Sequence, residues 1–333
     1  MSVSRAMADC EAPPIAAVPA GVQRPLWSVM IPTFNCAKYL RLTLESVLSQ
    51  APGPDDMQIE VVDDCSTKDD PEAVVKEMGK GRVLFHRKPQ NGGAIANFNT
   101  CIERSHGHLI HILHGDDVVL PKFYSRLSET AEAHPDLAMI GSRSFDIDID
   151  GIISGVSDRL LAFESGSRDA SSLFYSNPIK TPSIVIRRAF YELHGGFLLS
   201  LIHCADWEMW ARASGHGGAI IVPDVLCKYR LFPGNDTSRL ARSADNLRDF
   251  LRYYGVMAAR HADFDQYRAK SILIHLSRQQ ADKFRVNGDT EAYAHNLAFY
   301  KSIVPFYYRF PFVLPRALLR YLKRGINRLA RLR

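Results

Sequence analysis

The stretch Trp27-Ser28-Val29-Met30-Ile31-Pro32-Thr33-Phe34-Asn35 is a short apolar run that stops abruptly in a polar turn. A run of this length bounded by turn residues reads as a buried strand, and Leu40, Leu44, Val47 and Leu48 recur behind it at helical spacing. The same pattern repeats downstream. Ile59-Glu60-Val61-Val62 ends at Asp63-Asp64-Cys65-Ser66-Thr67, residues 71–78 have helical spacing, and Val83-Leu84-Phe85 is a third strand. Residues 94–104 form another helix, and Leu109-Ile110-His111-Ile112-Leu113 a fourth strand ending at His114-Gly115-Asp116-Asp117. Strands alternating with helices in this way predict an α/β domain on a mostly parallel sheet flanked by helices.

Working outward, this pattern holds to about residue 240, after which long stretches rich in Arg, Ala and Leu predict a helical region over 241–333. Residues 1–26, rich in Ala and Pro but carrying Asp9 and Glu11, lack the apolar run of a secretory signal and are expected to be a flexible leader to an α/β domain over 27–240. The chain has 333 residues, 46% of them hydrophobic, enough for a substantial core and too apolar for disorder. Its six cysteines show no close pair, which points to reduced thiols rather than a disulfide framework or a cysteine zinc site. The most apolar region, residues 302–322, is broken by Pro305, Arg309, Pro311, Pro315 and Arg316, so a conventional spanning helix is not expected.

The polar clusters Thr33-Phe34-Asn35, Asp63-Asp64 and Asp116-Asp117 all fall at the C-terminal ends of strands, the edge along which open α/β sheets bind ligands. Each acidic pair alone reads as a turn. Together they outline a nucleotide pocket: an aromatic ring for the base, a carboxylate for a ring N–H, and adjacent carboxylates that repel unless a hard cation such as Mg²⁺ or Mn²⁺ lies between them. Neither a G-x-x-x-x-G-K-[ST] loop nor a G-x-G-x-x-G turn is present, which excludes the P-loop and dinucleotide cradles. Asn91-Gly92-Gly93 precedes a helix where backbone can approach a ligand, although a plain turn fits equally. Of the crowded histidines, His108 and His114 fall on one face of the strand and His111 on the other, which spoils a shared zinc site; His111 is expected in the core and His114 at the pocket edge.

The motifs resemble, in order and spacing over about 200 residues, the inverting nucleotide-sugar glycosyltransferases of family 2. The matching stretches are Ser28–Asn35, Ile59–Thr67, Asn91–Asn99, Leu113–Asp117 and Ala205-Asp206-Trp207-Glu208-Met209-Trp210. The resemblance implies a GT-A fold, Rossmann-like and mixed but mostly parallel, here with a C-terminal helical extension. It implies donor contacts from Pro32, Thr33, Phe34, Asn35, Asp63, Asp64, Asn91, Gly92, Asn97, Asp116 and Arg230, a Mn²⁺ or Mg²⁺ ion on Asp117 and Asp116, and Asp206 as catalytic base. Trp207 and His203 are candidates for the acceptor side. Two departures stand out: Asn97-Phe98-Asn99 replaces the usual Ala-Arg-Asn, leaving Arg87 or Arg230 to substitute for a phosphate-facing arginine, and Ala205 replaces an acidic neighbour of the base.

The expected activity is inverting sugar transfer from a nucleotide-diphosphate sugar to a glycan or lipid-linked acceptor in surface polysaccharide synthesis. The alternatives are a sugar-1-phosphate nucleotidyltransferase, whose basic Gly-rich N-terminal loop is missing, and an inert nucleotide-sugar-binding scaffold. The net charge of +5 is concentrated: residues 301–333 hold nine Lys or Arg and no acidic residue, leaving a mildly acidic body that does not read as a nucleic-acid binder. On a helical wheel of about 100° per residue, Leu318, Leu319, Leu322, Ile326, Leu329 and Leu332 share one face and Arg316, Arg320, Lys323, Arg324, Arg328 and Arg331 take the other, with only the terminal Arg333 breaking the pattern. That basic amphipathic helix, within 305–333, predicts docking on an anionic membrane surface, and hence a cytoplasmic enzyme held peripherally at the inner face.

Overall fold

The computed structural model describes residues 11–304. The chain opens with β1 (Trp27–Thr33), α1 (Ala37–Leu48), β2 (Met57–Asp63), α2 (Pro71–Gly79), β3 (Leu84–Arg87), α3 (Ala94–Arg104) and β4 (Leu109–Ile112). It continues through β5 (Val118–Val119), α4 (Phe123–Ala133), β6 (Met139–Ile147), β7 (Ile153–Val156), β8 (Ile184–Arg187), α5 (Arg188–His194), α6 (Ala205–Gly217) and β9 (Ala219–Arg230). Four helices follow: α7 (Asp236–Ser243), α8 (Asp245–Arg260), α9 (Gln266–Val286) and α10 (Thr290–Ile303).

The strands form one sheet in the order β3-β2-β1-β4-β8-β6-β9-β5, with β7 paired to β6. The first four are parallel, β1 against β2 from Trp27/Met57 to Thr33/Asp63 and against β4 from Trp27/Leu109. β8 then runs antiparallel between β4 and β6, which makes the sheet mixed, as expected for GT-A. Because β2 and β4 lie on opposite sides of β1, the chain reverses direction across the sheet there, and a crevice opens at the C-terminal ends of these strands.

Side chains alternate across the sheet and feed two cores. Val29, Ile31, Ile59 and Val61 pack under α1, α2 and α4 with Leu40, Leu44, Val75, Phe123 and Leu127. Met30, Val62, Ile110 and Ile112 face α3, α5 and α6, where Phe98, Phe190, Trp207 and Trp210 lie buried. The four-residue strand β3, whose side chains are not fully buried, starts one residue later than the apolar run suggests and extends to Arg87.

Two expectations about organisation meet structural detail. The boundary expected near residue 240 falls inside α7, and Leu247, Tyr253, Met257 and Leu273 join the same core as Trp207, so α8 and α9 pack onto the sheet-bearing part of the chain. The described part of the leader is fastened down: Ile15 is only 4% exposed, Gly196 donates its N–H to Pro13 O at 2.8 Å, and Arg188 Nη2 donates to Ala16 O at 3.0 Å. One buried isoleucine and these backbone bonds outweigh the Pro- and Ala-rich composition. The basic amphipathic helix expected within 305–333 lies outside the described residues. Among the described residues no helix is long and apolar enough to cross a membrane.

Candidate active site

The floor of the crevice is set by the ends of β1 and β2. Asp64 donates its N–H to Thr33 O at 2.9 Å, continuing the ladder one residue beyond the strands. Its carboxylate is only 2% exposed and gathers the loop beyond β3: Lys88 Nζ at 2.6 Å, Gly92 N at 3.0 Å and Gly93 N at 2.8 Å. Asn91 Nδ2 donates to Asp64 O at 3.0 Å. The negative charge thus sits at the amino end of α3, where unpaired N–H groups and the helix dipole favour it. Gly93 has φ +84°, a backbone conformation that a side chain would strain. At the mouth, Phe34 is 45% exposed and open to stack on a ring, while Thr33 Oγ1 faces Cys36 Sγ at 2.7 Å.

Several candidates do other work. Asp63 is fully buried, accepts from the Ser66 N–H and hydroxyl, and forms an ion pair with Arg87 Nε at 2.8 Å. It is therefore a structural clasp and not a donor contact, and it occupies the arginine that was a candidate for phosphate. Asn35, with φ +51°, accepts from the Thr67 and Lys68 N–H groups at 2.9 Å each and fixes the neighbouring loop. Pro32 is buried, with its carbonyl accepting from Gly115 N at 3.1 Å. Asn97 is 2% exposed and donates to Val62 O at 2.9 Å, leaving its Oδ1 buried without a partner.

The acidic pair follows β4. Asp117 has no exposed surface; its Oδ1 accepts from the Arg230 N–H at 2.8 Å, and its Oδ2 has no hydrogen-bond partner, His114 Nδ1 standing 3.6 Å away. One ligand atom from each of His114, Asp116 and Asp117 lies within 4.8 Å of the others. Burial raises the Asp116 carboxyl to about 6, and burial plus the charge of Asp116 pushes Asp117 well above the usual carboxylate range. Burial also lowers His114, stacked on Phe98 with ring centres 5.0 Å apart, to about 4, so its imidazole is neutral and its unpartnered Nε2 is buried. Oxygen and imidazole donors with orphaned, desolvated lone pairs fit a divalent cation. His111, by contrast, lies in the core, with Nε2 3.0 Å from Pro182 O.

Arg230 departs from its expected role on the diphosphate. Its Nε donates to Asp116 O at 2.9 Å and its Nη1 to Asp148 O and Ile149 O at 3.0 and 3.2 Å, with the guanidinium 4.7 Å above the Tyr39 ring. It clamps the backbone of the acidic pair to the turn between β6 and β7.

Asp206, the second residue of α6, stands on the other wall. Its Oδ1 accepts from the neighbouring Trp207 N–H in the first turn of the helix, whose cap position is Cys204, and Thr181 Oγ1 donates to its Oδ2 at 3.2 Å. Burial raises its pKa, opposed by His203, the two bonds and Lys180. Burial likewise lowers His203. The loop before α6 hangs on Asp249 of α8, whose fully buried Oδ2 accepts from the N–H groups of Ile202, His203 and Cys204 at 3.0, 2.7 and 2.8 Å. Trp207 is not an acceptor platform: it is 3% exposed, donates Nε1–H to Leu173 O, and stacks on Tyr253 with ring centres 4.1 Å apart. Lys180, Thr181 and Asp249 carried no motif in the sequence; they join the site only because β8 and α8 fold back to it.

The family model described as glycosyl transferase family 2 matches residues 28–193, the span from β1 into α5. An uncharacterized glycosyltransferase of Methanocaldococcus jannaschii is 25% identical over 221 residues, covering 65% of this chain and 73% of that protein. Among solved structures, S. aureus TarS 1-349 in complex with UDP-GlcNAc superposes with a TM-score of 0.58 at 17% identity, covering 84% of this chain and 81% of that one. The mannosyltransferase PcManGT from Pyrobaculum calidifontis, in complex with GDP-Man and Mn²⁺, gives 0.54 at 18% identity, covering 97% and 86%. A mixed sheet with its acidic pair after β4, a family model running through the crevice strands and two solved structures of like architecture lead to one assignment: the chain is a glycosyltransferase of family 2 with the GT-A fold.

Proposed function

We propose that the protein transfers a sugar, with inversion, from a nucleoside diphosphate sugar to a hydroxyl of a glycan or lipid-linked acceptor. The observation that carries this reading is the pairing of two walls: a buried acidic pair with an orphaned Asp117 oxygen on one, and Asp206, aligned by Thr181, on the other. Asp117 and Asp116, with His114 beside them, would hold Mn²⁺ or Mg²⁺. A bound divalent ion supplies charge neutralisation at the leaving diphosphate.

The protein's own groups perform the remaining steps. Phe34 offers a face to the base, and Asp64 shapes the loop that lines it. Asp206 removes the proton of the acceptor hydroxyl as its oxygen bonds to the anomeric carbon; the bond from that carbon to the diphosphate oxygen breaks on the opposite face, carrying its electron pair away. Thr181 holds the carboxylate in position, and burial makes it more basic than an exposed aspartate. His203, from the loop pinned by Asp249, borders the acceptor side.

The test is transfer or donor hydrolysis across UDP-, GDP- and dTDP-sugars with and without Mn²⁺, with the anomeric configuration of the product read by NMR. Asp206→Asn keeps size and is expected to lower turnover by about 10²- to 10⁴-fold with donor affinity nearly unchanged. If it loses affinity at normal turnover, Asp206 is a binding residue. A role in surface polysaccharide synthesis at the inner membrane face rests on the nine basic residues of 301–333. Truncation after Val304 is expected to abolish flotation with anionic liposomes while sparing activity on soluble acceptors; equal flotation would remove the membrane assignment.

A further inference from the structure

Most basic groups around the crevice are engaged. Lys88 is paired with Asp64 at 2.6 Å, Arg87 with Asp63 at 2.8 Å, and the Arg230 guanidinium donates to three backbone carbonyls. Lys180 differs. Among the described residues it has no carboxylate within ion-pair distance; the residue is half-buried, and its ammonium lies 5.1 Å from the centre of the Tyr229 ring.

Its place in the chain explains why it stays there. Ser183 donates its N–H and its hydroxyl to Lys180 O at 3.0 and 2.7 Å, and the next residue, Thr181, binds Asp206. Tyr229, beneath the ammonium, is followed by Arg230, whose N–H holds Asp117. The segment that carries Lys180 is thus tied to the base on one side, and the ring under its ammonium is tied to the acidic pair on the other. A half-buried lysine without a carboxylate partner, on a segment tied to both walls, is matched by an anion that arrives with the substrate.

We propose that Lys180 donates to the diphosphate of the nucleotide-sugar donor, neutralising charge on the leaving group from the side opposite the acidic pair. The inference rests on the donor reading above. It also fills the gap left by Arg87 and Arg230, both of which the fold uses elsewhere.

The experiment is calorimetric titration of UDP, GDP, dTDP, UMP and GMP into the full chain with Mn²⁺, for wild type, Lys180→Met and Lys180→Arg, with thermal unfolding to confirm that each variant folds. Lys180→Met is expected to weaken nucleoside diphosphate binding on the order of 10- to 100-fold, the loss of a charge-assisted bond, while monophosphate affinity changes by no more than about 3-fold. Lys180→Arg should recover most of the loss. Unchanged diphosphate affinity, or an equal loss for mono- and diphosphate, overturns the assignment. Tighter Mn²⁺ binding with nucleotide affinity unchanged would overturn it in favour of a counter-ion to the acidic pair. Should the wild-type chain bind none of UDP, GDP and dTDP, the nucleotide-sugar reading itself fails, and Lys180 falls with it.

Discussion

Replacing Asp116 by Asn should make the metal-free protein more stable, although the residue is placed at the centre of function. Burial lifts the Asp116 carboxyl from 3.8 to about 6. At about 1.36 kcal/mol per unit, holding that charge at neutral pH without a cation opposes folding by on the order of 3 kcal/mol. The folded-state value lies above the unfolded one, so the penalty is absent below about pH 4, grows between about pH 4 and 6, and is complete above that range. Asp116→Asn removes the charge and keeps the shape, but its amide still needs partners, so the expected net gain is about 1–3 kcal/mol above pH 7. The assay is urea denaturation in EDTA at about pH 8 and about pH 5, where the gap should shrink. Excess Mn²⁺ should then reverse the order, since ligand at 100 times its Kd stabilises the wild type by about 2.7 kcal/mol. A variant no more stable than wild type in EDTA at the higher pH would refute the claim that these carboxylates hold uncompensated charge.

Burial also raises Asp206, so the acidic fall in kcat should begin at a higher pH than for an exposed aspartate, and Asp206→Asn should flatten that limb in a pH–rate profile. Trp207→Ala should cost about 3–5 kcal/mol in chemical denaturation through the lost contact with Tyr253; a changed acceptor KM at unchanged stability would restore the ring to the acceptor site. Asp249→Ala removes the acceptor of three N–H groups and the partner of Arg252, a loss of about 3–5 kcal/mol, whereas Asp249→Asn, which keeps one oxygen, should lose less.

The crevice strands were legible because apolar runs and polar stops are local signals, and β1, β2, α3 and β4 lie where those signals place them. The acidic pair was legible for the same reason. What each polar side chain does was not. Asp63 and Asp64 are neighbours of identical chemistry, yet one is paired with Arg87 and the other organises the Gly92–Gly93 loop, a division made by partners 24 to 29 residues away. Trp207 looked like a stacking surface because its partner Tyr253 comes from a helix whose packing no motif announces. Asp206 was legible from its own short motif, but Asp249, which pins the loop before it, carries none, so that support is visible only in the folded chain.

Arg230 sets a limit on how this enzyme can diversify. Its side chain bonds the backbone of Asp116 and the carbonyls of Asp148 and Ile149, while its own N–H holds Asp117. The β6–β7 turn, with Ile149 and Ile152 exposed beside it, looks like an appendage that evolution or an engineer could reshape for new acceptors. Because the turn's carbonyls anchor the arginine beneath the acidic pair, grafts there will be selected twice: once for what they bind, and once for whether Asp116 stays in register. Productive exchanges should therefore keep the backbone path at 148–149 and vary the tip beyond it.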